Sequence, residues 1–249
     1  MSWRISILDK SPIAENETAA DALARTLALA QQAENLGYHR FWIAEHHNTP
    51  HLASPSPELL IAWILGQTTR IRVGSGGVML QHYSPYKVAE NFNVLAAGLG
   101  WHFVFAAHLN GDPELLREVV STWRKNSTRD VIVAVQAIVA PTQAEAEALA
   151  QKVEVWGVEL ANGQRVTVAS EEQAYAFARQ AGSEPVRIAR RAQSLLAGTA
   201  ESVLEQLNAL HEKWGIDEFI IDTPVAEGAT RVASLRLLAE ARLNKEVTV

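Results

Sequence analysis

Two hydrophobic periods take turns along this chain. Short apolar runs at residues 3–9, 39–44, 71–75, 103–107, 131–140 and 218–222 read as buried strands. Between them, apolar positions recur at helical spacing. The first such stretch runs from Ala19 to Leu36 and is stopped by Gly37, a residue suited to the position after a helix. Ser56 and Pro57 open a second, running to about Gln67. Residues 86–97 form a third, and another starts near Pro113. The capping box Thr142-Gln143-Ala144-Glu145 opens one reaching about Val155, Thr199 opens one ending at Gly215, and residues 232–243 close the series.

One stretch departs from the alternation. Residues 158–168 turn around Asn162-Gly163, a strong hairpin signal, and Ser170-Glu171-Glu172-Gln173 then predicts helix as far as Ala192. Strand–helix alternation with helix-length crossovers implies a parallel sheet covered on both faces. The expected fold is α/β, a (β/α)8 TIM-barrel type. Eight strands are needed and six are found, so the barrel is incomplete by about two βα units. The chain reads as one domain, 1–249, with a hairpin excursion at about 157–169.

Composition narrows the function classes. The 249 residues are 48% hydrophobic and 20% charged, enough for a substantial core. Net charge is −6 with no run of Lys or Arg, which argues against nucleic acid as a partner. There is no cysteine, so disulfides, thiolate metal sites and thiol nucleophiles are excluded. The N-terminus enters a strand pattern without a signal-peptide layout, and no apolar run approaches the roughly 20 residues that span a bilayer. A cytoplasmic location with no membrane partner is expected.

Candidate chemistry gathers at strand ends, where a β/α barrel displays its active site. The 39–44 strand runs into Glu45-His46-His47. Neighbouring strand residues face opposite ways, so the two histidines cannot share a pocket. A metal site, a structural hydrogen-bonded pair, and one histidine facing a ligand are the three readings; no recognised metal-ligand spacing supports the first, and no metal is expected. Val73-Gly74-Ser75-Gly76-Gly77-Val78 lets backbone approach a planar or phosphorylated ligand, or serves only as a tight turn. The strand at 103–107 ends in His108, and the last strand ends in Asp222-Thr223-Pro224, where Asp222 is either a ligand or a turn cap.

Taken together, Ile7-Leu8-Asp9 with Ser11-Pro12, Ala33-Glu34-Asn35-Leu36-Gly37-Tyr38, Trp42 through Asn48, Val73 through Leu80, Ser84-Pro85 and Ala89-Glu90 resemble the bacterial luciferase-like, flavin-dependent monooxygenases. The resemblance is specific across residues 5–97 and weaker beyond. It implies an FMN-dependent oxidoreductase using reduced FMN and O2, through a flavin hydroperoxide, on a small-molecule organic substrate. It implies His46 as the catalytic residue at the flavin's reactive edge, passing a proton near neutral pH. Glu45, Ser75, Gly76, Gly77, Ala106 and His108 fall on the positions that line the flavin, with a backbone bulge, often a cis peptide, at Gly76-Gly77. A separate flavin reductase and a homodimer paired through the helices at about 56–67 and 86–97 follow from the same resemblance.

The chain also departs from that family. At Ala97-Gly98 the relatives carry two further βα units, on the order of 60–90 residues, which supply the arginine and hydroxyl ligands of the flavin phosphate. Ala107 stands where relatives commonly have serine. Lys10, Arg40, Arg187, Arg190 and Arg191 are the cations available as substitutes. Two further readings therefore stand beside the monooxygenase. One is a non-catalytic flavin-binding protein resembling the non-fluorescent flavoprotein of luminous bacteria; the other is a cofactor-free barrel relic.

Overall fold

In a computed structural model, the structure describes residues 2–99, 106–108, 117, 120–122, 124, 125, 130–168, 170–190, 195–225 and 227–247. Six strands run parallel: β1 (Arg4–Asp9), β2 (Arg40–Ile43), β3 (Arg72–Ser75), β4 (Ala106–His108), β5 (Ile132–Val139) and β10 (Glu218–Asp222). Their order is β3-β2-β1-β10-β5-β4, and the short β9 (Leu195–Gly198) joins the far half of β5. First and last strands of the chain are thus neighbours, as barrel closure demands, while β3 and β4 end the path where two units are missing.

Helices α1 (Ala19–Asn35), α2 (Pro57–Leu65), α3 (Pro85–Leu99), α4 (Gln143–Ala150), α6 (Ala200–Trp214) and α7 (Gly228–Val247) accompany the parallel strands. Thr18 caps α1 in a reciprocal box with Asp21, and Thr142 caps α4. Ser56 makes no side-chain cap bond, so α2 begins on Pro57, whose absent N–H needs no partner. No helix among the described residues is long and apolar enough to cross a membrane.

Alternation along each strand builds two cores. Ile5, Ile7, Phe41, Ile43, Val133, Val135, Phe219 and Ile221 face outward into the large cluster under the helices. Trp3 meets Phe219 there edge to face, ring centres 5.2 Å apart. Leu8, Trp42, Ala44, Ile132, Ala134 and Ile220 face inward as a smaller second cluster. Below that layer, at the strands' N-terminal ends, Glu218 is fully buried between Ser6 (2.6 Å) and Arg40 (3.0 Å).

The region after α4 differs from the sequence expectation. Helix α5 (Glu171–Ala181) stops at Gly182, which adopts a left-handed φ of 58°, instead of continuing to Ala192. Pro185 follows, and residues Pro185–Arg190 form β8, antiparallel to β6 (Trp156–Leu160), which also pairs with β7 (Arg165–Val168). Val186 and Ile188 recur at period two in that stretch, a strand signal hidden by the helical residues before it.

Candidate active site at the C-terminal ends of the strands

Parallel pairing brings the ends of β1, β2, β3 and β10 to one rim. On β1 the alternation sends Leu8 inward, Asp9 outward and Lys10 inward again. Asp9, with no exposed surface, bonds Thr26 of α1 at 2.5 Å and Arg231 of α7, while Arg231 also donates to the Leu8 carbonyl at 3.1 Å. Burial alone would raise the Asp9 pKa; the Arg231 charge, with Thr26 and Ser11, reverses that and holds it below the ordinary value. The end of β1 is thereby fixed from behind.

On the inner side, Lys10 Nζ lies 2.7 Å from Asp222 Oδ2, and Gln136 Nε2 donates to the same oxygen at 3.1 Å. The other Asp222 oxygen, Oδ1, is buried with no hydrogen-bond partner, as are Thr223 Oγ1 and Trp42 Nε1. A buried polar atom left unpaired costs about 1–3 kcal/mol. Asp222 Oδ1, at the end of β10, is thereby left able to accept from an N–H of a bound molecule.

His46 continues the inward series of Trp42 and Ala44, and its N–H bonds the Ser54 carbonyl at 3.1 Å. The ring is half-buried. Burial lowers its pKa, Lys10 lowers it further, and Asp222 opposes both, so the imidazole is neutral at physiological pH. His47 turns away: its Nε2 donates to Glu45 Oε1 at 2.6 Å and its ring lies tilted against His82, ring centres 4.8 Å apart. Glu45 Oε2 accepts the Met79 N–H at 2.8 Å, tying β2 to the segment after β3. Burial favours the protonated form of Glu45, but the His47, Met79 and Tyr83 hydrogen bonds outweigh it and keep its pKa low; in return Tyr83 is pushed up to about 12, chiefly by its bond to Glu45. Both Glu45 oxygens are thus engaged by the protein itself.

The glycine stretch lies alongside. Gly76 N–H donates to the Ile43 carbonyl at 2.7 Å, extending the β2–β3 ladder. A Cβ at Gly76 would stand 2.7 Å from Leu8 Cδ1, and one at Gly74 would stand 3.0 Å from the Trp42 ring, so both glycines accommodate inward side chains of neighbouring strands. Gly77 faces open space, and Ser75 exchanges hydrogen bonds with it. Every peptide bond among the described residues is trans, Gly76-Gly77 included.

His46, Glu45 and Ser75–Gly77 therefore come together, joined by Lys10, Gln136 and Asp222, while Trp42 packs against Gly74 in the inner cluster. Ala106 and His108 lie on β4 at the far end of the sheet, in register with Ile132 and Ala134; their side chains fall outside the described part of the structure. Of the substitute cations among the described residues, only Lys10 is in the site. Arg40 binds Glu218 at the opposite end of the strands, Arg187 and Arg190 belong to β8, and Arg191 lies outside the described residues. Among the described residues no cluster of three metal-ligating side chains occurs. Gln136 escaped the sequence reading, though a lone amide inside Val131-Ile132-Val133-Ala134-Val135-Gln136-Ala137 is a usable signal.

Known proteins resemble this chain in sequence and fold. The family model described as luciferase-like monooxygenase matches residues 4–100. The N-acetyl-S-alkylcysteine monooxygenase of Bacillus subtilis is 32% identical over 329 positions, covering 96% of this chain and 98% of that protein. At least 80 of those positions (329 less 249) have no residue of this chain opposite them. Several other relatives match over only about 90 residues, 27 to 28% of their length. Among solved structures, apo-MsnO8 superposes with a TM-score of 0.72 at 24% identity, covering 96% of this chain and 98% of that one. The oxygenating constituent of the 3,6-diketocamphane monooxygenase of Pseudomonas putida, in complex with FMN, superposes with a TM-score of 0.63 at 15% identity, covering 96% and 97%. Both likenesses concern the fold. With the near full-length relative, the match over residues 4–100 and the parallel sheet in agreement, this chain belongs to the luciferase-like monooxygenase family.

Proposed function

We propose that this chain, acting as a single barrel domain, uses reduced FMN and O2 to oxygenate a small organic molecule at the rim built by β1, β2, β3 and β10. The observation that carries the reading is a neutral, half-buried His46 near Asp222, whose Oδ1, like Trp42 Nε1 and Thr223 Oγ1, is buried without a hydrogen-bond partner. Those atoms fit the ring of a flavin, whose edge offers both carbonyl and N–H groups. Membership of the family and the FMN held by one structural neighbour support the same cofactor.

When bound, reduced flavin supplies the electrons that activate O2. The chain's own residues have simpler tasks. Trp42 and Thr223 would donate to ring acceptors and Asp222 would accept from a ring N–H. Lys10 holds Asp222 in place. His46, neutral at its Nε2 or Nδ1, would accept and return a proton at the reacting edge. Glu45 acts through backbone and side chain, holding Met79 and His47 so that Ser75-Gly76-Gly77 keeps its place. For the phosphate the fit is poorer. Lys10 is the cation present and Asp222 already engages it. That observation favours a second reading, a flavin-holding protein without turnover.

The partners follow from the same reading: a separate flavin reductase, and a second copy of this chain. Leu59 and Trp63 on α2 and Tyr86 and Val94 on α3 are large apolar side chains left 43–75% exposed, as a helix-paired homodimer requires. Titration of the protein with FMN, and anaerobically with reduced FMN, tests the proposal. Micromolar binding with substrate-dependent O2 consumption that His46→Ala abolishes is expected. Binding of oxidised flavin without O2 consumption would establish the storage reading, and no binding at about 100 µM, far weaker than a useful flavin site, would refute both.

A further inference from the structure

At the opposite end of the strands a second cleft opens, of about 320 Å³, lined by Arg4, Glu34, His39, Arg70, Arg72 and Arg242 among others. Its volume is in the range of small-molecule sites, about 300–1,000 Å³. Its charge is the reverse of the chain's. Its lining holds four arginines and the carboxylate of Glu34, with Asp130 and the buried Glu218 both within reach of Arg4, in a protein whose net charge is −6.

The carboxylate is occupied elsewhere. Glu34 accepts the backbone N–H groups of Thr69 (2.8 Å), Arg70 and Ile71 (2.9 Å), so its oxygens fasten the loop before β3. These bonds, Ile71 first, hold its pKa low. Two of the arginines are engaged as well: Arg4 pairs with Asp130, and Arg242 donates to the Trp3 carbonyl at 2.8 Å and lies over the Trp3 ring. Arg70 and Arg72 are exposed and form no ion pair among the described residues. Arg72 Nη1 instead lies 3.4 Å from Nδ1 of His39. Burial, then Arg40, Arg4 and Arg72, lower the His39 pKa to about 4, so this imidazole is neutral and can accept from Arg72. Gly37, at φ 74° and with nothing within 4 Å of its Cβ direction, leaves the entrance open.

We propose that this cleft at the N-terminal ends of β1, β2 and β3 binds a small phosphoryl anion, free or as a phosphomonoester, with Arg70 and Arg72 as the principal ligands. Planar guanidinium groups grip phosphoryl oxygens two at a time. The site is remote from His46 and independent of whether flavin binds there.

Calorimetric titration of the intact protein with inorganic phosphate and, separately, with glycerol phosphate, at constant ionic strength, tests the proposal and tells the free anion from the ester by which binds more tightly. Saturable one-site binding is expected, weakened about tenfold by Arg70→Ala or Arg72→Ala and about a hundredfold by both. Arg187→Ala, on β8, should leave it unchanged. Arg70→Gln with Arg72→Gln preserves the side-chain stems and should give the same loss should the alanine pair fold poorly. Absence of saturable binding, indifference to the paired substitutions, or equal weakening by Arg187→Ala would overturn the assignment.

Discussion

Arg231→Met removes the one cation that faces Asp9 while keeping a stem of similar length. Both groups are buried, Asp9 at 0% and Arg231 at 3% exposure, so water cannot replace the lost partner. Removing one member of such a pair destabilises by about 3–5 kcal/mol, because the other charge stays buried and unpaired. The sign of the pH effect follows from the pKa direction. In the native protein Asp9 lies below its unfolded value, so its contribution is present above that value and fades as the pH falls through the folded one. In the variant burial acts unopposed and the Asp9 pKa rises above the unfolded value. The deficit should then be largest near about pH 7 and shrink toward about pH 5, as Asp9 takes up a proton. Urea denaturation followed by circular dichroism at both pH values measures it. A second change, Asp9→Asn, should recover a large part of the loss. A deficit below about 1 kcal/mol at neutral pH, or one equal at both pH values, would show that Arg231 does not neutralise Asp9.

Other outcomes are expected at the rim. Because His46 is held below its ordinary value of 6.5 and is needed neutral, kcat/KM should stay flat above that pH and fall on a limb below it; a limb above 6.5 would assign it to another group. Glu45→Gln should let Tyr83 ionise well below its present value of about 12, visible as a difference in tyrosinate absorbance titration between the two proteins. Gly76→Val places a branched side chain where a Cβ already stands 2.7 Å from Leu8, so thermal stability should drop by about 1–3 kcal/mol and flavin affinity with it.

Much of the frame was legible because β1, β2, β5 and β10 are buried on both faces and therefore read as continuous apolar runs. All six parallel strands lie where those runs are, from Ile5-Ser6-Ile7 to Phe219-Ile220-Ile221. The opposite facing of His46 and His47 followed from strand alternation alone. Strands β8 and β9 were missed for different reasons. The first is half-exposed and follows helical residues, and the second has four residues and exists only because β5 overruns its partners. At the rim, sequence supplied the acid, the histidines and the glycines but not the company they keep. Lys10 with Asp222 is a contact across 212 positions, and the duty of Glu45 toward Met79 depends on a turn that no local pattern encodes.

The sheet ends at β3 and β4, and its lost strands would have come between them. Each βα unit leaves one end of the sheet and returns to that same end, so whole units can be removed without reversing the direction of any strand that remains. The cut is therefore a joint, at which length can change by multiples of one unit while the β1–β2 and β1–β10 registers persist. A protein engineer could use it as a socket. Units borrowed from a full-length relative, spliced after α3, would meet β3 and β4 with the polarity and handedness both require. If the grafted strands carry an arginine at their C-terminal ends, the restored frame would tell whether a phosphate anchor alone separates this chain from its longer kin.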